Sequence, residues 1–175
     1  MKILIIGPLG AGKSSLAYAI NKSYNIPRLN LDEINRRIKD GSYYPKEEAL
    51  LKLKQFIESN SSWVIEGSQK YLYETLIPDL IVDMRINRFV AIWRFTNRFL
   101  KAKKLIGKKI DSDLPVQAYH YRKITLKKIR DYDVTGQEIN AEISDYLKTI
   151  HIPIIKCKGF KDYHMVFDKI SHKYK

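Results

Sequence analysis

The stretch Lys2-Ile3-Leu4-Ile5-Ile6-Gly7-Pro8-Leu9-Gly10-Ala11-Gly12-Lys13-Ser14-Ser15 decides the fold. Lys2–Ile6 is a short apolar run of the kind that forms a buried parallel strand. It leads directly into Gly-x4-Gly-Lys-Ser, and a helical pattern follows over Ser14–Ser23. Glycines at this spacing allow backbone turns that other residues resist, so successive N–H groups can surround phosphates. A helix opening near Lys13 adds the partial positive charge of its N-terminus. Lys13 can reach the β- and γ-phosphates of a nucleoside triphosphate, and the Ser14 hydroxyl can hold Mg²⁺. Gly7, Pro8, Leu9, Gly10, Ala11, Gly12, Lys13, Ser14 and Ser15 are therefore the predicted cradle for ATP with magnesium.

Further apolar runs predict the other strands: Trp63–Ile65, Leu80–Val82 and Ile152–Ile155, with Pro27–Leu31 a weaker fifth. Helical spacing recurs between them, as in Pro45–Ser59, where Ala49, Leu50, Leu53, Phe56 and Ile57 fall on one face. Glu47 and Glu48 near its start suit the positive end of a helix. Strands alternating with helices predict an α/β protein, a parallel sheet covered on both faces. With 175 residues and no repeat or Gly/Ser/Pro linker, the chain reads as one domain over residues 1–175.

In open α/β sheets, ligands bind outside the carboxyl ends of the strands. Three acids occupy such ends. Glu66 follows Trp63-Val64-Ile65, as a magnesium-organising carboxylate would, although a helix cap or surface acid follows the same pattern. Gly67 beside it would let a substrate approach the backbone. Asp32 stands where it could grip an acceptor, deprotonate its hydroxyl, or cap the following helix. For Asp83, a solvated or capping role is the better fit.

The segment 84–110 carries four arginines, five lysines and no acid. In the helix predicted from Asn87 to Leu105, Phe89, Ile92, Trp93, Phe95, Thr96, Phe99 and Leu100 form one broad face, expected to pack into the core. Arg94, Arg98 and Lys101 lie opposite. Phosphoryl transfer spreads charge over the γ-phosphate oxygens, so arginines on a closing segment would stabilise it; Arg94 and Arg98, with Arg122 further on, are the candidates. A solvated charged face and a nucleic-acid surface are the other readings of the same residues.

The net charge of +13 predicts an anionic partner and does not choose between nucleotide, nucleic acid and acidic membrane. Cys157 is the one cysteine and cannot form an internal disulfide, which suits reducing surroundings. No apolar run approaches the roughly 20 residues that span a bilayer. A soluble cytoplasmic protein without membrane attachment is expected. There is no Asn-Lys-x-Asp guanine-reading tetrapeptide and no motif of an ABC or DNA-translocating ATPase.

From Met1 to about Arg98 the sequence resembles small P-loop kinases of the adenylate kinase-like class, most of all DNA topology modulation protein-like kinases. The residues that carry the resemblance are Gly7–Ser15, Asn30-Leu31-Asp32-Glu33, Trp63-Val64-Ile65-Glu66-Gly67-Ser68, Asp79-Leu80-Ile81-Val82 and the helix bearing Arg88, Arg94 and Arg98. The loop is common to many NTPases; the Trp63–Gly67 run and its distance from Asp32 favour this group. The chain departs from it at Arg85-Ile86-Asn87, where an aspartate followed by proline is usual, and at Glu66, which replaces an aspartate.

The resemblance implies a three-layer P-loop NTPase fold with a five-stranded parallel sheet in the order 2-3-1-4-5. It implies a substrate-binding helical segment near 33–60 and a helical lid near 95–125. Asp32 and Gly67 would face the acceptor, with Arg88 also in contact, while Glu66 organises the metal and the basic helix supplies lid arginines. The expected activity is ATP-dependent phosphoryl transfer to a small acceptor, a nucleotide or nucleoside. The alternative is an ATP-binding regulator that contacts DNA through its basic surface.

Overall fold

The computed structural model describes residues 1–36, 42–103 and 131–174. Within the helices defined below, the side chains of Phe95, Arg98, Phe99, Lys101, Ala102, Lys103, Tyr132, Asp133 and Tyr174 also lie outside the described set. Five strands form one sheet: β1 (Lys2–Ile6), β2 (Arg28–Asn30), β3 (Trp63–Gly67), β4 (Leu80–Met84) and β5 (Ile154–Cys157). Their order is β2-β3-β1-β4-β5, and every neighbouring pair is parallel. This is the order 2-3-1-4-5 and the three-layer P-loop fold.

Seven α-helices accompany the strands among the described residues: α1 (Lys13–Tyr24), α2 (Leu31–Asn35), α3 (Lys46–Glu58), α4 (Lys70–Tyr73), α5 (Arg88–Lys103), α6 (Tyr132–Lys148) and α7 (Tyr163–Tyr174). A short 3₁₀ turn, Phe160–Asp162, precedes α7. Side chains alternate across a strand, so β1 supplies both cores. Ile3 and Ile5 join Leu16, Ile20, Val166 and Ile170 from α1 and α7. Leu4 and Ile6 join Leu31, Leu53, Leu72 and Ile143 from α2, α3, α4 and α6.

Three boundaries differ from the sequence reading. β3 runs on through Glu66 and Gly67, and β4 through Asp83 and Met84, because the parallel ladder with β1 continues: Ile5 pairs with Glu66 and Ile6 with both Gly67 and Asp83. The two acids are therefore the penultimate residues of their strands, not residues beyond them. β5 covers Ile154–Cys157 and not Ile152–Ile155, since its register on β4 begins at Ile81 opposite Ile154. At the sheet edge it is also more exposed than a central strand, with Ile154 partly open. α6 and α7 are not among the elements anticipated above, although Ile139, Ile143, Tyr146 and Leu147 pack at helical spacing.

The face of α5 expected in the core is exposed at three of its described residues. Phe89 and Trp93 are each 65% exposed and Leu100 is 49% exposed, while Ala91 is buried and Arg94 reaches back to the phosphate loop. Periodicity finds an apolar stripe but cannot say what the stripe meets. α5 crosses a polar loop, where small Ala91 and a long guanidinium fit better than aromatic rings.

Candidate active site

The loop between β1 and α1 is built on backbone that only glycine accepts easily. Gly12, at φ +101° and ψ +14°, is the N-cap of α1 and offers no side-chain cap, so the first amides of the helix are left for another acceptor. Gly7 is tight for a second reason. A Cβ there would lie 2.4 Å from the carbonyl oxygen of Met84 and 2.8 Å from its Cβ, so β4 could not lie this close to the loop.

Three side chains fasten the loop through its carbonyls. Lys13, buried to 8% exposure, donates from Nζ to Gly7 O at 2.9 Å and Pro8 O at 3.0 Å. Arg94 Nη1 donates to Gly10 O at 3.1 Å, and Tyr163 Oη donates to Gly12 O at 3.2 Å. The Arg94 guanidinium also lies over the Phe160 ring, 5.8 Å from its centroid, and Phe160 contacts Tyr163. Tyr163 and Phe160 were not singled out from the sequence, and no local pattern marks them: the 3₁₀ turn and the start of α7 bring them in, Tyr163 from 151 positions away.

Beside the loop stands Glu66, 2% exposed. Its Oε1 has no hydrogen-bond partner, although a buried carboxylate oxygen normally finds one. Burial raises its pKa above the usual glutamate value; the nearby Lys13 charge and a hydrogen bond from Ser14 pull the other way, and Asp32 adds to the rise. Lys13, Ser14 and Asp32 thus each stand close enough to act on Glu66. An unpartnered buried carboxylate oxygen next to a serine hydroxyl is a set of hard oxygen donors, and it fits Mg²⁺, which takes one or two protein oxygens and keeps its remaining waters.

Asp32 lies in the first turn of α2, and the cap of that helix is Asn30, whose Oδ1 accepts from Asp32 N at 2.8 Å. Capping is therefore not the task of the Asp32 carboxylate. Its Oδ1 accepts instead from Gln69 Nε2, a residue the sequence reading passed over. Gly67 also has a different reason from the one expected. A Cβ there would lie 2.7 Å from Leu31 Cβ and 2.8 Å from Gln69 Oε1, so the space is filled by α2 and Gln69, and glycine is required by packing.

Asp83 is neither solvated nor a cap. It is 1% exposed, and Arg85 Nε donates to both its oxygens at 2.7 and 2.9 Å. Arg85 continues to Asn140 Oδ1 at 3.0 Å and Ser144 Oγ at 3.2 Å, fastening the end of β4 to α6. Arg88 is exposed, stacks its guanidinium 4.7 Å from the Phe89 centroid, and lines a cleft with Pro8, Ile86, Gln137 and Asn140. Arg98 falls on α5 with its side chain outside the described residues, as Arg122 and most of the expected lid near 95–125 are.

No protein-family model matches the chain, and no curated protein does. Solved structures do. That of deoxyadenosine kinase from M. mycoides, with products dCMP and a flexible dCDP bound, superposes with a TM-score of 0.52 at 13% identity, covering 98% of this chain and all of that one. An uncharacterized protein from Eubacterium ventriosum superposes with a TM-score of 0.54 at 12% identity, covering 98% of each chain. At these identities the likeness shows a shared fold. No helix among the described residues is long and apolar enough to cross a membrane.

Proposed function

We propose that this protein is an ATP-dependent phosphotransferase acting on a small acceptor of the nucleoside or nucleotide class. The observation that carries the reading is Glu66: a buried carboxylate with one oxygen unpartnered, set against Ser14 and Lys13 at the mouth of a glycine-built loop. Such an oxygen costs stability unless a ligand completes it.

In this reading the first amides of α1 and the loop hold the phosphates, and Lys13 exchanges its two loop carbonyls for phosphate oxygens. Ser14 and Glu66 would hold Mg²⁺, which neutralises charge on the phosphates when bound. Asp32 accepts the proton of the acceptor hydroxyl as its oxygen bonds to the γ-phosphorus. The bond to the bridging oxygen breaks, ADP leaves with the electron pair, and the proton passes to solvent. Arg94, bonded to Gly10 O in the phosphate loop, would turn to the transferring group; Arg98 and Arg122 are further candidates, as is Arg88 on the acceptor side.

The chain is read as one kinase domain with a lid-like insertion near 95–125, and the Trp63–Gly67 run favours a likeness to the topology modulation protein-like kinases. The likeness to the M. mycoides deoxyadenosine kinase supports an acceptor of the nucleoside class. Two measurements test the proposal. Lys13→Ala should abolish ATP binding seen by calorimetry, and unchanged affinity would sink the donor site. A panel of nucleosides, nucleotides and small alcohols should raise ADP formation above the rate with water; if none does, the chain is not a kinase.

A further inference from the structure

Asp32 is held from two directions by groups that have little else to do. Its backbone N–H is fixed by the Asn30 side chain, which is 3% exposed. Its carboxylate is met by Gln69, whose side chain is itself oriented: Oε1 accepts from Ser68 N at 3.2 Å, so the NH₂ end must face Asp32 Oδ1. The backbone of Gln69 is equally constrained, because its carbonyl accepts from Leu72 N and Tyr73 N, both at 3.1 Å, in the first turn of α4. Gly67 completes the arrangement, since any side chain there would strike Gln69 Oε1 and Leu31.

We infer that Gln69 is a positioning residue for Asp32: it occupies Oδ1 and so commits the other oxygen, Oδ2, to the acceptor hydroxyl. This rests on the kinase reading above, in which Asp32 takes the acceptor proton. A carboxylate free to rotate about its Cβ–Cγ bond would present either oxygen in varied directions, and a misplacement of about 1 Å at a reacting group can cost on the order of 10²-fold in rate. The same helix carries a built-in control. Tyr71 Oη donates to Asn35 Oδ1 at 2.5 Å, a second tie between α4 and α2 that does not touch Asp32. If Gln69 merely fastened one helix to another, losing Tyr71 would have the same consequences.

The experiment compares Gln69→Leu, Gln69→Glu and Tyr71→Phe with the wild type, using the acceptor from the panel that supports the fastest ADP formation. Gln69→Leu should lower kcat by about 10²-fold with KM for ATP unchanged, and combining it with Asp32→Asn should lower the rate no further than Asp32→Asn alone. Gln69→Glu can donate only when protonated, so its rate relative to wild type should rise as pH falls. Tyr71→Phe should leave kcat and its pH profile in place. Wild-type kcat in Gln69→Leu, additivity with Asp32→Asn, or an equal loss in Tyr71→Phe each overturns the positioning role and leaves the kinase reading standing. A wild type that phosphorylates nothing in the panel overturns the kinase reading itself, and the role of Gln69 with it. Calorimetric ATP binding in Gln69→Leu, expected at wild-type affinity, shows that the variant is folded when its rate is read.

Discussion

Replacing Glu66 by glutamine should make the ligand-free protein more stable and less able to use magnesium. Glu66 is 2% exposed and its Oε1 has no partner. A buried polar atom left unsatisfied costs about 1–3 kcal/mol, and more when charged. Lys13 and the Ser14 hydrogen bond offset part of that cost, so a neutral isostere should return about 1–2 kcal/mol. For a chain of this length each kcal/mol moves the melting temperature by roughly 2–4 °C, giving a rise of about 2–8 °C.

The rise should depend on pH. Burial holds the folded-state pKa of Glu66 above its unfolded value, so the folded state binds the proton more tightly. Stability is then unaffected below the ordinary glutamate value and is lost as pH climbs through the raised one. The advantage of Glu66→Gln should therefore be small near pH 4.5 and full at pH 8. With Mg²⁺ and ATP present the order should reverse: at about 100 times its Kd a ligand adds roughly 2.7 kcal/mol to the wild type, and the variant should gain much less. Thermal unfolding at two pH values, with and without Mg·ATP, checks all of this. A variant that melts below wild type at pH 8 without ligand, or a difference indifferent to pH, would refute the reasoning.

Three further changes separate the scaffold from the site. Gly7→Ala puts a Cβ 2.4 Å from the Met84 carbonyl on a backbone with φ of +155°, so urea unfolding should show a loss exceeding the about 1–3 kcal/mol of such strain, together with loss of ATP binding. Arg85→Ala leaves the Asp83 carboxylate buried without its cation and should cost about 3–5 kcal/mol, whereas Asp83→Leu combined with Arg85→Met should cost less; a single-variant loss under about 1 kcal/mol in chemical denaturation would mean the pair is not a structural tie. Arg94→Ala removes one hydrogen bond, to Gly10 O, and should change ligand-free stability by about 1 kcal/mol, yet lower the transfer rate on the order of 10³-fold in steady-state kinetics.

The parts of the fold written in local sequence were legible. β1, the phosphate loop and the start of α1 follow from the fourteen residues Lys2–Ser15, whose glycines and apolar run admit few alternatives, and alternation with helices predicts the parallel sheet. The contributions that come from far along the chain were not. Tyr163 reaches Gly12 across 151 positions, Arg85 finds Asn140 across 55, and Gln69 finds Asp32 across 37. Residue type says that each can donate a hydrogen bond; only the packing of α7, α6 and α4 says to what. Gly67 illustrates the same limit at one residue, because its absent side chain was legible and the neighbour that requires the absence was not.

The clearest failure of the sequence reading, the face of α5, has a physical cause. Apolar periodicity assumes that what is buried is greasy, and that holds where an element packs on the sheet. Around the phosphate loop it fails, because the loop presents carbonyls and amides and its neighbours must supply polar partners: Arg94 from α5, Lys13 from α1, Tyr163 from α7. Trp93 and Phe89 are left outward for the same reason that Arg94 turns inward. Departures from local rules concentrate where a structure is organised for something besides folding. Here they concentrate within reach of one loop, and the carboxylate with one unpartnered oxygen, Glu66, stands beside it.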